Sequence, residues 1–286
     1  MLDTLGRLAT SRFFENPVFL VGGSRSGTVA MLKAIGMHPE ILSSPGEDPF
    51  VTDVGGMMYD LEYASETEKQ YYLRSLRIPM DYIHRHLKRL CFESAFGPHF
   101  GLKSMVKSVL HREANPLAKR HWCTKTFPSE KVAKGLMRLY PRAKFIWILR
   151  NGVNVVHSRT KFPEFRDLDF SEHCRSWADL IVRFGYLLEL REAVVVRQED
   201  FADDPDGVFR RIFDLIGVPY HEASTNFSRT TLVHPLADES TTRGVDVRKT
   251  LKERPPVHAE WSSEQRETFT RICAHAMQLA GYEMPF

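Results

Sequence analysis

The chain has few cysteines and no long hydrophobic run, and each shortage excludes a class of protein. Four cysteines are spread over the sequence without a C-x-x-C pair: Cys91, Cys123, Cys174 and Cys273. This spacing favours free thiols in a reducing compartment over a disulfide framework or a zinc site. No apolar run approaches the roughly 18 residues of a membrane span. Residues 1–15 carry charges where a secretory signal has an apolar segment, so we expect a cytoplasmic protein without a transmembrane segment.

A strong surplus of one charge is also missing, since 39 basic and 36 acidic residues leave a net charge of +3. No Lys/Arg block of the kind that binds a nucleic-acid backbone is present, which argues against a nucleic-acid partner. A pocket for a small anion needs only a few cations and is compatible with this balance. With 286 residues, 43% of them hydrophobic, the chain can bury a large core, and we predict one domain over residues 1–286.

The most informative stretch is residues 17–28, where a short apolar run meets a loop of Gly, Ser and Arg. Val18–Val21 has the composition of a buried strand, and Gly22-Gly23-Ser24-Arg25-Ser26-Gly27-Thr28 follows it directly. Apolar residues then recur at helical spacing, at Val29, Leu32 and Ile35. A strand, a tight loop and a helix in this order direct several backbone N–H groups to one place, and such a place binds phosphate.

This loop differs from the Walker A motif of nucleoside triphosphatases in one decisive position. Gly22 and Gly27 have the spacing of G-x-x-x-x-G-K-[ST], but Thr28 stands where the motif has Lys. The cation is Arg25, inside the loop. The missing Lys argues against a kinase, and a tight turn with a solvated Arg is the alternative to a phosphate site.

A second strand, turn and helix repeats the layout. Lys144–Leu149 is strongly apolar, Arg150-Asn151-Gly152 ends it, and a helix begins at Val153. Further strands are predicted at 41–43, 121–126 and 193–196, with helices at 129–139, 170–190, 204–217 and from 262 onward. This alternation predicts an α/β protein with a P-loop-like three-layer fold, in which helices flank a central, mostly parallel sheet.

Three stretches are less regular. Residues 45–49 have loop composition, and residues 222–259 are loop-like. Residues 66–92 have rough helical periodicity divided by Pro79. We predict a helical insertion at about 51–115 that lies on the acceptor side of the domain.

Together these residues resemble the PAPS-dependent sulfotransferase family, where PAPS is 3′-phosphoadenosine 5′-phosphosulfate. The Arg-Ser-Gly-Thr form of the loop is typical of its bacterial, carbohydrate and tyrosylprotein branches. Arg150 with Ser158 eight residues later resembles the family's 3′-phosphate element. Further matches to the family's pattern are His38-Pro39-Glu40, the segment 196–205, Trp261-Ser262 and the closing Gly281-Tyr282. Thr28-Val29 in place of Thr-Thr and Asn151-Gly152 in place of Asp-Pro depart from it.

The resemblance implies a set of donor-binding residues. Those expected to hold the 5′-phosphosulfate are Gly23, Ser24, Arg25, Ser26, Gly27 and Thr28, and those expected to hold the 3′-phosphate are Arg150 and Ser158. Two pairs are candidates for a further donor loop, namely Arg243-Gly244 and Arg248-Lys249. The family uses PAPS as co-substrate and no metal, and it leaves 3′-phosphoadenosine 5′-phosphate, PAP, as product.

The resemblance also implies catalytic roles. Glu47 is expected to act as the base on the acceptor hydroxyl, with Asp48 and His121 left open as alternatives. Lys125 is expected to reach the transferred sulfuryl group, and Arg25 the bridging oxygen. The acceptor is expected to be a hydroxyl, or less readily an amine, of a small molecule, lipid or carbohydrate. A non-catalytic nucleotide-binding protein and a nucleoside or metabolite kinase are the alternative functions, and the oligomeric state is left open with a homodimer among the options.

Overall fold

A computed structural model of the chain describes residues 15–63, 79–96, 119–226 and 257–286. Five strands lie in these residues: β1 (Pro17–Val21), β2 (Ile41–Glu47), β3 (His121–Lys125), β4 (Lys144–Leu149) and β5 (Ala193–Arg197). The helices of the described residues are α1 (Thr28–Gly36), α2 (Pro49–Tyr63), α3 (Met80–Phe96), α4 (Glu130–Leu139), α5 (Gly152–Thr160), α6 (Phe170–Phe184), α7 (Gln198–Asp203), α8 (Pro205–Ile216), α9 (Ala223–Asn226) and α10 (Ser263–Leu279). Short 3₁₀ turns occur at Pro163–Phe165, Gly185–Leu188 and Val257–Glu260.

The strands form one sheet in the order β2-β3-β1-β4-β5. Strand β3 pairs in parallel with β1, with Pro17 opposite Trp122, and in parallel with β2, with Ile41 opposite His121. The predicted fold class, a central and mostly parallel sheet flanked by helices, is confirmed. The chain packs as two compact units, residues 1–21 with 35–145 and residues 22–34 with 146–286.

The core of the first unit is aromatic. All five residues of β1 are buried, as the apolar run predicts for a strand covered on both faces. The ring of Phe19 lies 5.9 Å from that of Trp122, 6.2 Å from that of Tyr140 and 5.5 Å from that of Phe145, measured between centroids. Contacts of this kind at tilted or perpendicular angles are favourable beyond the area they bury. They fix β1 within the core of the first unit.

Strand β2 is longer than the sequence predicts. Residues 45–47 were expected in a loop, but the strand continues to Glu47 through an irregularity between Ser43 and Glu47. Pro45 is tolerated because β2 is an edge strand and the irregularity interrupts the ladder. Ser44 stabilises this bend, since its hydroxyl contacts the Thr124 hydroxyl at 2.9 Å and donates to the Gly46 carbonyl at 2.8 Å.

Most predicted helix ends are found where capping chemistry places them. Ser129 caps α4, Asp204 caps α8, and Ser262 with Gln265 forms a capping box on α10. Gly217 ends α8 with a φ of 83°, a left-handed conformation that favours glycine. The helix predicted over 170–190 is shorter, because α6 ends at Phe184 and a 3₁₀ turn follows.

The predicted helical insertion lies partly outside the described residues. Helix α3 starts directly after Pro79, as expected for a proline at a helix start, and α2 covers 49–63. Residues 64–78, 97–118 and 227–256 are outside the described part of the chain, and Arg243, Gly244, Arg248 and Lys249 lie in the last of these ranges.

The second unit has a core of its own. The ring of Trp147 on β4 packs against Phe184 of α6, with 6.2 Å between centroids. Trp177 of α6 stacks on Phe269 of α10 at 6.4 Å.

All four cysteines are buried and free, as the sequence predicts.

Among the described helices, none is both long and apolar enough to cross a membrane.

Helices α2 and α4 of the first unit approach each other through two glycines. A Cβ atom on Gly135 would collide with the carbonyl oxygen of Gly55, and one on Gly55 would lie 2.9 Å from the Val132 carbonyl oxygen. These obstacles are backbone atoms, so the helices can relieve the clash only by separating. Gly56, the next residue of α2, has only one atom within 4 Å of such a Cβ, the Val132 Cγ2 at 4.0 Å.

We therefore expect Gly135→Ala to lower the free energy of unfolding by about 1–3 kcal/mol, the usual cost of overpacking. Gly56→Ala is the matched control, and it should be neutral or stabilising by up to about 1 kcal/mol because alanine favours helix. Urea unfolding curves measure both. Equal midpoints for Gly135→Ala and the wild type would show that the two helices separate without cost.

Candidate functional site

The loop between β1 and α1 has a conformation that its glycines permit. Arg25 has a φ of 67° and Gly27 a φ of 83°, so two residues within three positions are left-handed. The Ser26 N–H donates to the Gly23 carbonyl at 3.3 Å, and α1 begins at Thr28. Ser26 and Thr28 are buried. The N–H groups at the start of α1 and the positive end of its dipole therefore lie beside the loop, an arrangement that binds anions.

Gly22 is required here for space. A Cβ on this residue would lie 2.7 Å from Thr28 Cγ2 and 2.9 Å from the carbonyl oxygen of Ile148 in β4. The second of these is a backbone atom of a buried strand. Glycine therefore allows the loop to pass directly against β4, the strand that Arg150 follows.

Two residues of the predicted 3′-phosphate element bond directly to Arg25. Arg150 Nη1 donates to the Arg25 carbonyl oxygen at 2.6 Å, and Arg25 Nε donates to Ser158 Oγ at 3.0 Å. The structure thus brings together three residues that the sequence places 125 and 133 positions apart. Arg150 thus holds the backbone of Arg25, and Ser158 holds its side chain. The glycine loop and the predicted 3′-phosphate element, both in the second unit, therefore adjoin each other.

The two arginines are partly desolvated. Burial lowers the pKa of Arg25, and nearby Glu164 only partly offsets it. Burial also lowers the pKa of Arg150, where Glu199 raises it and the charge of Arg25 lowers it further. Bringing two like charges together in a partly buried place is unfavourable unless an anion joins them. The electrostatics of this pair thus favour an anionic ligand.

The Arg25 guanidinium also packs on an aromatic ring that the sequence analysis missed. Its Cζ lies 4.2 Å from the centroid of Phe162, which follows α5. The cation–π contact and the bond to Ser158 fix the Arg25 side chain from two sides. Gln198 also adjoins the loop, since a Cβ on Gly27 would lie 3.3 Å from its Nε2. No sequence pattern identifies Phe162, because the contact depends on how the chain turns after α5.

The Asn151-Gly152 departure from the family pattern has a structural explanation. Asn151 Oδ1 accepts a hydrogen bond from the Val153 N–H at 2.9 Å and so caps α5, as an Asp would. A Cβ on Gly152 would meet the Trp177 ring at 2.7 Å, so α5 packs against α6 more closely than a larger residue permits.

In the first unit, Glu47 and Lys125 form an ion pair at the carboxyl ends of β2 and β3. Lys125 Nζ donates to Glu47 Oε2 at 2.9 Å, and the two residues are register partners. The Lys125 side chain is 9% exposed and the Glu47 side chain 46% exposed. Lys125 Nζ also lies 4.7 Å from the centroid of the Phe127 ring. The carboxylate is therefore oriented by a buried cation while it stays open to solvent.

The two alternative bases are placed differently. Asp48 is buried and caps α2, because its Oδ1 accepts from the Phe50 N–H at 3.1 Å and from Ser94 Oγ at 2.9 Å. Burial raises the pKa of Asp48. His121 starts β3, so it lies roughly 13 Å along the strand from Lys125 at ~3.3 Å per residue. Burial lowers the pKa of His121. Neither residue shares the exposed strand end with Glu47.

In the part of the chain that the structure describes, no group of three or more His, Cys, Asp or Glu side chains is arranged to hold a metal ion.

Comparison with known proteins identifies the family. The sequence model of the sulfotransferase family matches residues 17–222, which include both phosphate elements, Glu47 and Lys125. No curated protein sequence matches the chain. The sulfotransferase domain from the curacin biosynthetic pathway superposes with a TM-score of 0.50 at 15% identity, covering 94% of this chain and 99% of that one. Mouse sulfotransferase SULT7A1, solved in complex with PAP, superposes with a TM-score of 0.50 at 13% identity, covering 94% and 89%.

At these identities the two structures establish the fold, and the match of the family model over most of the chain establishes the family. The sequence resemblance is thereby confirmed, and this chain belongs to the family of PAPS-dependent sulfotransferases.

Proposed function

We propose that this enzyme transfers the sulfuryl group of PAPS to a hydroxyl group of a small-molecule, lipid or carbohydrate acceptor. One observation carries the donor half of the proposal: Arg150 and Ser158 are both hydrogen-bonded to Arg25 of the glycine loop. PAPS has phosphate at both the 5′ and the 3′ position. A site with two adjoining cationic elements suits such a ligand better than a nucleotide with phosphates at one end only.

In the proposed reaction, the acceptor oxygen attacks the sulfur in line with the bridging oxygen of PAPS. The new bond joins the acceptor oxygen to sulfur, and the bond between sulfur and the bridging oxygen breaks. PAP leaves with the electron pair of that bond, and the acceptor proton passes to the base. Negative charge thus builds on the bridging oxygen, where fixed donors stabilise it.

Arg25 is proposed to face that bridging oxygen, while Gly23, Ser24, Ser26, Gly27 and Thr28 hold the 5′-phosphate with backbone N–H groups and hydroxyls. The left-handed conformation of Arg25 and its contact with Phe162 support this role, because they fix the cation before the donor arrives. Arg150 and Ser158 are proposed to bind the 3′-phosphate. Arg243 and Gly244 remain a prediction from sequence for the rest of the donor site.

Glu47 is proposed to accept the proton of the acceptor hydroxyl, and Lys125 to act on the transferred sulfuryl group. The ion pair supports the first role, since it orients a carboxylate that stays 46% exposed. Asp48 is less suited to act on an acceptor, because its side chain is buried and its Oδ1 accepts hydrogen bonds from the Phe50 N–H and from Ser94.

We further propose that the residues around 51–115 shape the acceptor site within a single domain of residues 1–286. Helices α2 and α3 supply the described part of this segment. The absence of a metal requirement and a cytoplasmic location stay predictions from the sequence, with a homodimer as one option for the assembly.

The competing function is phosphoryl transfer by a kinase. Thr28 occupies the position of the Walker Lys, so no lysine of the loop reaches a γ-phosphate. A non-catalytic nucleotide-binding protein is opposed by the preserved Glu47–Lys125 pair, which PAP binding alone does not need.

The first prediction concerns the ligand. PAP should bind at least about 10- to 100-fold more tightly than AMP, because one charge-assisted contact to the 3′-phosphate is worth roughly 1.5–3 kcal/mol. Isothermal titration calorimetry of both nucleotides measures the ratio. Equal affinities would show that no part of the site recognises a 3′-phosphate.

The second prediction separates the two residues of the 3′-phosphate element. Arg150→Ala should weaken PAP binding by about 10- to 100-fold, since it removes a phosphate contact and the bond to the Arg25 carbonyl. Ser158→Ala should have a smaller effect, because Arg25 keeps its contact with Phe162. Calorimetry with PAP tests both, and normal PAP affinity in both variants contradicts the assignment.

The third prediction concerns the base. Glu47→Gln should bind PAP normally and lose about 10²–10⁴ in kcat, the range for removal of a general base. Lys125→Ala should lose roughly 10²–10³, as for one electrostatic donor. Turnover is followed as PAP release with any acceptor that the wild type sulfates.

Glu40→Gln is the matched control for the base, because Glu40 precedes the other end of β2 and pairs with Arg120 at 3.4 Å. Its turnover should equal that of the wild type. Wild-type turnover in Glu47→Gln would remove Glu47 from the mechanism and direct attention to Asp48 and His121.

A further inference from the structure

We propose that the C-terminal turn at residues 280–282, acting through Glu199, positions the Arg150–Asn151 segment for the 3′-phosphate of the donor. This inference rests on the proposed function, because it assigns positioning residues to the same donor site. Tyr282 lies outside the residues that match the family model, which end at 222. All of the contacts involved lie within the second unit.

Glu199 is the centre of the arrangement, and both of its carboxylate oxygens are used. Oε1 accepts a hydrogen bond from the backbone N–H of Asn151 at 3.0 Å. Oε2 accepts one from the Tyr282 hydroxyl at 2.8 Å. One side chain therefore joins the residue directly after Arg150 to the C-terminal turn, across 48 and 83 positions of sequence.

The turn that carries Tyr282 is itself well defined. At the end of α10 the Tyr282 N–H donates to the Met277 carbonyl at 2.9 Å and the Gly281 N–H to the Gln278 carbonyl at 2.9 Å. This is the hydrogen-bond pattern of a Schellman motif. Gly281 has a φ of 69°, which a residue with a side chain adopts only with strain. The motif reverses the chain and directs Tyr282 back toward Glu199.

Arg197 fastens the same turn from the end of β5. Its Nη2 donates to the Gly281 carbonyl at 2.8 Å, and its Cζ lies 4.9 Å from the centroid of the Tyr282 ring. A Cβ on Gly281 would lie 2.5 Å from this Nη2, so a side chain there would displace the Arg197 guanidinium from its present position. Arg197 and Glu199 thus hold Tyr282 by its ring and by its hydroxyl.

The Tyr282 hydroxyl is suited to donate a stable hydrogen bond to Glu199. Burial, with the nearby Glu199 carboxylate as the next cause, raises the pKa of Tyr282 well above its ordinary value. The phenol therefore keeps its proton at neutral pH and can donate to Glu199.

The mechanical consequence falls on Arg150. Asn151 is the N-cap of α5. Its backbone N–H donates to Glu199, and its side-chain oxygen accepts from the Val153 N–H. Without the bond to Glu199, the backbone at Asn151 would be free to shift. Arg150 is the preceding residue, so its side chain would shift as well. A displacement of about 1 Å is costly where geometry matters, so a loosened Arg150 should bind the 3′-phosphate less tightly.

Tyr282→Phe tests the inference, because it removes one hydroxyl and keeps the ring on Arg197. We expect PAP affinity to fall roughly 3- to 10-fold, within the range for losing one hydrogen bond to a charged group, while AMP affinity changes by less than about 2-fold. Tyr220→Phe is the matched control, since the Tyr220 hydroxyl donates to Asp206 at 2.6 Å on the same unit without touching the donor site. It should leave both affinities unchanged.

Gly281→Ala is a second variant that disturbs the turn without changing Tyr282, and it should also weaken PAP more than AMP. Melting temperatures measured alongside confirm that each variant is folded. Parallel loss of PAP and AMP affinity in Tyr282→Phe overturns the inference, and so does an unchanged PAP affinity. Arg150→Ala, titrated in the same series, separates the two levels: if it weakens PAP and Tyr282→Phe does not, only the positioning role fails. If Arg150→Ala binds PAP normally, the donor assignment itself fails.

Discussion

The hydrogen bond from Arg150 Nη1 to the carbonyl oxygen of Arg25, 2.6 Å long, is the interaction on which the proposed donor site depends. It joins the end of β4 to a loop whose backbone is left-handed at Arg25 and Gly27. A non-glycine residue in that region costs free energy and persists only where its surroundings hold it. Arg150 stabilises the backbone of Arg25 through its bond to the carbonyl oxygen. Ser158 and Phe162 stabilise the Arg25 side chain.

The same arrangement explains why the site favours an anion. Burial lowers the pKa of both arginines, and the charge of Arg25 lowers the pKa of Arg150 further. Glu164 opposes this effect on the Arg25 pKa, and Glu199 and Tyr282 oppose it on the Arg150 pKa. A ligand with phosphate at both ends of a nucleoside relieves the repulsion at both cations. Preformed cations of this kind lose little freedom when charge develops on the departing oxygen, which is the property a sulfuryl-transfer site needs.

The sequence predicts those parts of the structure that depend on local pattern. The buried strand at 18–21, the capped helices at Ser129 and Ser262, and the left-handed Gly217 follow from composition, capping and glycine chemistry. The extension of β2 to Glu47 was missed, because an irregular edge strand with Pro45 has the composition of a loop. Phe162 was missed as a site residue because its contact depends on tertiary packing and no pattern in the chain indicates it. Gly281-Tyr282 matches the family's pattern, but the bond from Tyr282 to Glu199 follows only from tertiary packing.

A crystal structure of the protein with PAP tests the central claim most directly. We predict that the 5′-phosphate lies on the N–H groups of the loop before α1, and that the 3′-phosphate contacts Arg150 and Ser158. Both contacts should form without a change in the left-handed backbone of Arg25. A 3′-phosphate bound away from Arg150 and Ser158, or a loop that is rebuilt when PAP binds, would contradict the account.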